Sequence, residues 1–265
     1  MKILTIFAHP DDETMLAGGT LALLTRSGAE MYYLCATRGE GGELGEPPVC
    51  TRAEVAQVRE RELACAIQAL GGGTLSFLDC IDPLIGEGDE LFPYTDDFDG
   101  LVEQIKDQLH FIQPDAVITH GTNGEYGHPG HILTHRAVKQ AVEKIRPGRF
   151  SKTFQVYGPL LYSFCADFPG HPRPRHANRD DPAHLILDIA SVIGQKEKAA
   201  YCHRSQNTLF VRRGSQQAGY RLTVPEVLLR VESLHRVYPP VKSLPEDDLT
   251  ELLKPWARLN TRVES

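Results

Sequence analysis

The 265-residue chain has no CxxC pair, no GxGxxG, no Walker lysine and no excess of basic charge. It also has no stretch approaching the ~20 uninterrupted apolar residues of a membrane-crossing helix. Each absence removes a class of function. Without CxxC, the six cysteines (Cys35, Cys50, Cys65, Cys80, Cys165 and Cys202) form neither a zinc knuckle nor a dithiol redox motif, and they read as reduced thiols of a cytoplasmic protein. A net charge of -7 argues against nucleic acid as a partner, because phosphate neutralisation needs a basic face. The first apolar run is too short for a secretory segment, so neither membrane anchoring nor a membrane span is expected.

What is present is an alternation of strand-like and helical stretches. Residues 2–8 are rich in β-formers, 13–27 carry Leu and Met at helical spacing, and 30–36 return to strand character, which makes one βαβ unit. The pattern recurs. A helix over 51–70 ends in Gly71-Gly72-Gly73 before a strand at 74–79, and a helix over about 97–112 leads to the strand DAVITH at 115–120. Residues 129–146 read as a helix, 154–165 and 184–188 as strands, and 190–203 as a helix. Such alternation predicts an α/β fold, Rossmann-like and doubly wound, with a mainly parallel sheet and helices on both faces. The polar stretch 167–182 is expected to be a flap or rim. Residues 1–206 are read as the catalytic domain and 207–265 as a C-terminal extension packed on it.

Two motifs carry chemistry. AHPDDE follows the first strand and enters a helix, crowding His9, Asp11, Asp12 and Glu13 where desolvation and like-charge repulsion both penalise carboxylates. GEYGHPGH (124–131) follows DAVITH in the same relation. In an open doubly wound sheet, loops at the carboxyl ends of strands converge near the point where strand order reverses. If DAVITH lies beside the first strand, His9, Asp12 and His131 converge. Two imidazoles and one carboxylate suit Zn²⁺ with a fourth position open, and a dication lets the crowded acids stay ionised. Asp11, which need not ligate, is then free to take a proton from an activated water. HxxD alone would also suit a helix cap beside a surface histidine; it is the pairing of the two motifs that favours a metal.

With these motifs, TRGEGG (37–42), VRERELACAIQALG (58–71) and KEKAAYCHRSQ (196–206) complete a set, in order, that resembles the PIG-L/LmbE-like zinc-dependent N-acetylglucosaminyl deacetylases. The resemblance implies His9, Asp12 and His131 as ligands of zinc, with Fe²⁺ or another divalent ion as alternative occupants, and Asp11 as general base. It implies that His128 stabilises the oxyanion or protonates the leaving amine, and that Tyr126 polarises the substrate carbonyl. It places Arg38 and Glu40 at the substrate rim, and brings Arg59 and His203 in as substrate contacts. Arg59 and Glu62 otherwise read as charges on a solvated helix face, and His120 as a weaker candidate to steady a ligand. One departure stands out. Family members often read HPDH where this chain has His128-Pro129-Gly130-His131, so a carboxylate that could orient a histidine is missing.

The expected function is removal of the N-acetyl group from an N-acetylglucosamine-type sugar or its small-molecule conjugate. Two alternatives stay open: a non-haem Fe(II) oxygenase, which uses the same ligand set, and a non-catalytic sugar-binding relative. An oligomer is compatible with the sequence.

Overall fold

A computed structural model describes residues 1–145, 159–165, 178–241 and 245–259. The apolar runs form β1 (Lys2–Phe7), β2 (Glu30–Thr37), β3 (Thr74–Cys80) and β4 (Ala116–Thr119), interleaved with α1 (Asp12–Arg26), α2 (Val55–Ala69) and α3 (Phe98–Ile112). The short turn α4 (Gly124–Gly127) and helix α5 (Pro129–Lys144) follow, then β5 (Leu160–Phe164) and β6 (Leu185–Asp188). The chain continues through α6 (Ile193–Cys202), α7 (Arg204–Ala218), the short α8 (Val224–Val227), β7 (Val231–Tyr238), α9 (Asp248–Leu253) and β8 (Ala257–Leu259).

The strands build one eight-stranded sheet in the order β3-β2-β1-β4-β5-β7-β6-β8. The first five run parallel, as alternation with helices requires. The last three strands attach antiparallel, so the mainly parallel sheet that was expected carries an antiparallel end and is mixed overall. Alternate residues of β1 face opposite sides: Ile3 and Phe7 join a core with α1 and α2, while Leu4 and Ile6 join another with α3 and α5. Both faces of the sheet are therefore covered. β4 lies beside β1 on the side away from β2, so strand order reverses there and the two motif-bearing loops sit together at the sheet's crest.

Three expectations change. The strand expected over 154–165 begins at Leu160, and residues 154–158 lie outside the described residues, as do 166–177 of the expected 167–182 flap. The chain after 204 is more regular than it reads, because α7 gathers Leu209, Phe210 and Val211 in one run rather than at helical spacing. Cys65 and Cys202 are joined in a disulfide rather than reduced. They are 137 residues apart, on α2 and at the end of α6, and only the packing of those helices brings them together. Cys35, Cys50, Cys80 and Cys165 are free.

The C-terminal strands are tied to the first helix by a buried carboxylate. Glu232 on β7 accepts from the backbone N–H groups of Gly19 (2.8 Å) and Thr20 (2.7 Å), from the Thr20 hydroxyl (2.6 Å) and from Lys196 Nζ (2.6 Å). Lys196 is fully buried and Glu232 nearly so. Removing one partner of such a pair strands the other charge in the interior. Glu232→Ala should cost about 3–5 kcal/mol of stability, read as a lowered midpoint in urea unfolding, whereas a surface pair such as Lys106 with Glu103 should contribute under ~1 kcal/mol.

Candidate metal centre

Both motif loops owe their shape to local capping. Asp11 has φ 117°, an unusual value for a residue with a side chain, and is held there by the Glu13 carboxylate, which accepts from the Asp11 N–H at 2.9 Å. On the other loop His128 is the N-cap of α5, its Nδ1 accepting from Gly130 N–H at 3.1 Å, with Pro129 in the first helical position. His131 thus enters the first turn of α5 with its ring directed back to the crest. A Cβ at residue 130 would sit 3.3 Å from the His128 ring, so the backbone N–H of Gly130 meets that ring where a side chain is missing.

The convergence expected from the sequence is present. His9 Nδ1 lies 3.3 Å from His131 Nε2, one Asp12 oxygen lies 3.3 Å from His9 Nδ1, and the other lies 3.3 Å from His131 Nε2. Tetrahedral zinc with bonds of ~2.0–2.1 Å sets its donor atoms ~3.3–3.4 Å apart, and the His9 Nδ1–His131 Nε2 and His131 Nε2–Asp12 Oδ1 separations match that spacing, while His9 Nδ1 faces the other carboxylate oxygen, Oδ2. Oδ2 of Asp12 already accepts from the His9 N–H at 2.8 Å, which leaves Oδ1 for a cation.

Two further imidazoles lie close, since potential ligand atoms of His9, His128 and His131 fall within 4.8 Å of one another, as do those of Asp12, His120 and His131. His120 is committed elsewhere. Its Nε2 accepts from Ala8 N–H at 3.0 Å and its Nδ1 lies 3.0 Å from Glu125. The His120, His131 and His128 rings stack in a column, 3.9 and 4.4 Å between successive centroids.

Two carboxylates that the sequence reading passed over hold the outer nitrogens of the converging histidines. Glu125 Oε2 lies 2.6 Å from His131 Nδ1, and Asp82 Oδ1 lies 3.2 Å from His9 Nε2. Each imidazole is therefore oriented from behind, the arrangement that fixes the tautomer of a metal-bound histidine. Glu125 stood inside the quoted GEYGHPGH, and a carboxylate six residues before a helix-start histidine is the signal that could have marked it. Asp82 is two residues past β3, and no spacing in the sequence connects it with His9. Glu125 also takes a positive φ of 61°, local strain that its bonds to His131, His120 and the Gly121 N–H (2.8 Å) overcome.

Burial pushes every acid here up, and the partners decide the outcome. Glu125 is held down to about 2 by the His120 and His131 imidazoles, and Asp12 is held well below its ordinary value by the same two rings. Asp11 goes the other way: burial, with Asp12 and Glu13 adding to it, pushes it up to about 7 against the opposing Arg59 guanidinium. Burial pulls the histidines down, but Asp82 and Asp12 lift His9 to about 9, and Asp12 with Glu125 lifts His131 to about 10. His128 has no such support, and burial together with the nearby His9 and His131 holds it down to about 3. It is a neutral imidazole whose Nδ1 is occupied by an N–H, so Nε2 carries the proton.

A cavity of about 340 Å³ opens over these groups, lined by His9, Asp11, Asp12, His128 and His131 among others. Tyr126 and Arg59 also line it. Tyr126 is half-exposed, its ring 5.7 Å from that of His128. Arg59 and Glu62 are buried, contrary to the solvated face expected of them. Glu62 accepts from the Ser205 N–H (2.8 Å) and hydroxyl (2.7 Å). Arg59 donates to Asp11 Oδ2 at 2.8 Å and to Gly39 O at 2.9 Å. A Cβ at Gly39 would stand 2.0 Å from that guanidinium, and one at Gly41 would stand 1.9 Å from Pro83 O, which explains the glycines of TRGEGG.

The other expected substrate contacts do not line the cavity. Arg38 pairs with Glu60 (2.7 Å) and Asp79 (2.5 Å) over the Phe77 ring. Glu40 accepts from the Asp82 N–H at 3.0 Å and so steadies the loop that carries Asp82. His203 is fully buried, with Nε2 2.9 Å from Glu13 Oε1.

Two measurements follow from this geometry. Glu125→Gln should weaken divalent-metal binding by about 10–100-fold in competition with a chromogenic chelator, and should also lower the unfolding midpoint of the metal-free protein, because buried His131 loses the carboxylate that compensates it. A divalent cation held here would have to displace protons from His9 and His131 at neutral pH, so its apparent affinity should rise with pH towards about 9–10. Calorimetry in buffers of different ionisation enthalpy should register the released protons.

Comparison with known proteins places this site in a family. The chain is 34% identical over 240 residues, 78% of its length, to the 1D-myo-inositol 2-acetamido-2-deoxy-alpha-D-glucopyranoside deacetylase of Rhodococcus opacus, of which the match covers 82%. It is 32% identical over 209 residues to the probable N-acetyl-alpha-D-glucosaminyl L-malate deacetylase 2 of Bacillus cereus, covering 77% of this chain and 83% of that one. Among solved structures, GalB, the 4-carboxy-2-hydroxymuconate hydratase of Pseudomonas putida, is similar with a TM-score of 0.61 and 25% identity, over 93% of this chain and 98% of that one. The N,N'-diacetylchitobiose deacetylase of Pyrococcus horikoshii shares the fold with a TM-score of 0.58 at 23% identity, over 88% and 82% of the two chains. Residues 4–142, which carry both motif loops and the three converging side chains, match the GlcNAc-PI de-N-acetylase profile, and the chain belongs to that PIG-L family.

Proposed function

We propose that the protein is a metal-dependent hydrolase that removes the N-acetyl group from an N-acetylglucosamine-type conjugate. The observation that carries this reading is the convergence of His9, Asp12 and His131, each imidazole 3.3 Å from an Asp12 oxygen and 3.3 Å from the other imidazole, with Asp11 and His128 lining the same cavity. His9 Nδ1, Asp12 Oδ1 and His131 Nε2 would hold the cation, which when bound supplies an acidified water and polarises the amide carbonyl.

The chain's own groups complete the reaction. Asp11 takes the water's proton as the water attacks the acetyl carbon, and Arg59 keeps that carboxylate aimed through its 2.8 Å hydrogen bond. His128 donates from Nε2 to the developing oxyanion, with Tyr126 able to add a second hydrogen bond from the cavity wall. Asp11 then returns its proton to the departing amine as the C–N bond breaks, leaving acetate and the free amino sugar. A neutral His128 without a carboxylate partner suits oxyanion donation better than proton delivery.

The likeness to GalB favours a second reading, hydration of a carboxylated diene by the same centre. The cavity argues against it: Arg59 is bound to Asp11, and Arg213 is the one other guanidinium among the described lining residues. Several substrate carboxylates would find little to pair with there. Zinc-loaded protein incubated with N-acetylglucosaminyl inositol, malate and simple glycosides should release free amine and acetate without consuming oxygen, and a chelator should stop it. His128→Ala should lower turnover by about 10²–10³-fold, the usual effect of losing an oxyanion donor. Undiminished turnover with zinc bound would remove His128 from that role.

A further inference from the structure

The cavity is larger than the polar site at its base, and its composition changes away from the metal centre. Leu84, Ile85, Leu91 and Phe92 line one side from the loop after β3, and Leu209 and Phe210 line another from α7. Leu84, Ile85 and Phe92 are 60%, 40% and 39% exposed, so three large apolar side chains on one loop stand in water beside the site. Exposed apolar side chains are ordinary singly, but clustered in a concave wall they mark a binding surface. Apart from the groups at the metal centre and Tyr126, the lining side chains able to bond to a hydroxyl-rich ligand are Gln206, Arg213 and Gln217.

We infer that this half of the cavity receives an apolar substituent of the amino-sugar substrate, an alkyl chain or an aromatic ring, rather than a polyol or a dicarboxylate. The inference rests on the deacetylase reading and narrows it. An inositol or malate group placed against Leu84, Ile85 and Phe92 would lose more water contacts than Gln206, Arg213 and Gln217 could replace, a net cost. An alkyl group would remove both its own surface and that of Leu84, Ile85 and Phe92 from water. The substituent could be attached at the anomeric oxygen or could lengthen the acyl group itself.

Two homologous series test this with zinc-loaded protein. Methyl to octyl glucosides, which have no amide to cleave, are titrated by calorimetry below their micelle concentrations. N-acyl glucosamines from acetyl to octanoyl are assayed for amine release. A gain of about threefold to fourfold per methylene, the ~0.8 kcal/mol of a buried CH₂, in affinity or in kcat/KM supports the inference. The series that shows the gain tells which end of the sugar carries the substituent. The double variant Leu84→Asn with Phe92→Asn should flatten that dependence, while Phe111→Asn, at an exposed apolar position outside the cavity, should keep it. No chain-length dependence in either series, or the same dependence in the double variant, overturns the inference. If no amide is cleaved in any substrate, the deacetylase reading fails, and the glucoside titrations still decide on their own whether the wall binds an apolar group.

Discussion

Everything at the crest of the sheet depends on the compensation of buried charge. Asp12, Asp82 and Glu125 crowd against His9 and His131, and each imidazole stands between a carboxylate that orients it and the position where a cation fits. Asp82, Asp12 and Glu125 raise the proton affinity of the two histidines. The same carboxylates would compensate a divalent ion, so one arrangement serves folding and metal uptake.

The missing carboxylate of the HPDH pattern acquires a physical meaning in this setting. The Gly130 backbone N–H occupies His128 Nδ1, which sets the ring's tautomer, and burial beside His9 and His131 keeps the ring neutral. The acid in this loop is Glu125, which serves His131 and His120 instead. The carboxylate of this loop thus backs the histidine that would hold metal rather than His128, while Asp11 beside them has a proton affinity near neutrality.

Much of this was legible in the chain alone. Alternating periodicity located the parallel strands and the helices between them, since each buries one stripe or two faces. The two motif loops were found because a carboxylate cluster after a strand has few other physical excuses. The antiparallel addition of β7, β6 and β8 was not legible, because short strands in a polar context carry no record of their neighbours. The Cys65–Cys202 pairing escaped for the same reason, as contacts 137 residues apart are set by helix packing. Glu125 and Asp82 went unweighed because a lone acid in a loop has many solvated uses, and only the distance to an imidazole separates them. Arg38, Glu40 and His203 were drawn towards the substrate by motif membership, yet each is engaged in holding another part of the frame.

The interlock between Arg59 and the glycine loop bears on how such a catalyst can diversify. The guanidinium fills the space that side chains at 39 and 42 would need, and it also steadies Asp11, so the reacting groups and the loop beneath them form one rigid block. The hydrocarbon wall built by residues 84–92 and the outward side of α7 shares little of that bracing. Mutation can remodel that wall without disturbing the chemistry, so new substrates are open to this scaffold through its rim while its base stays fixed.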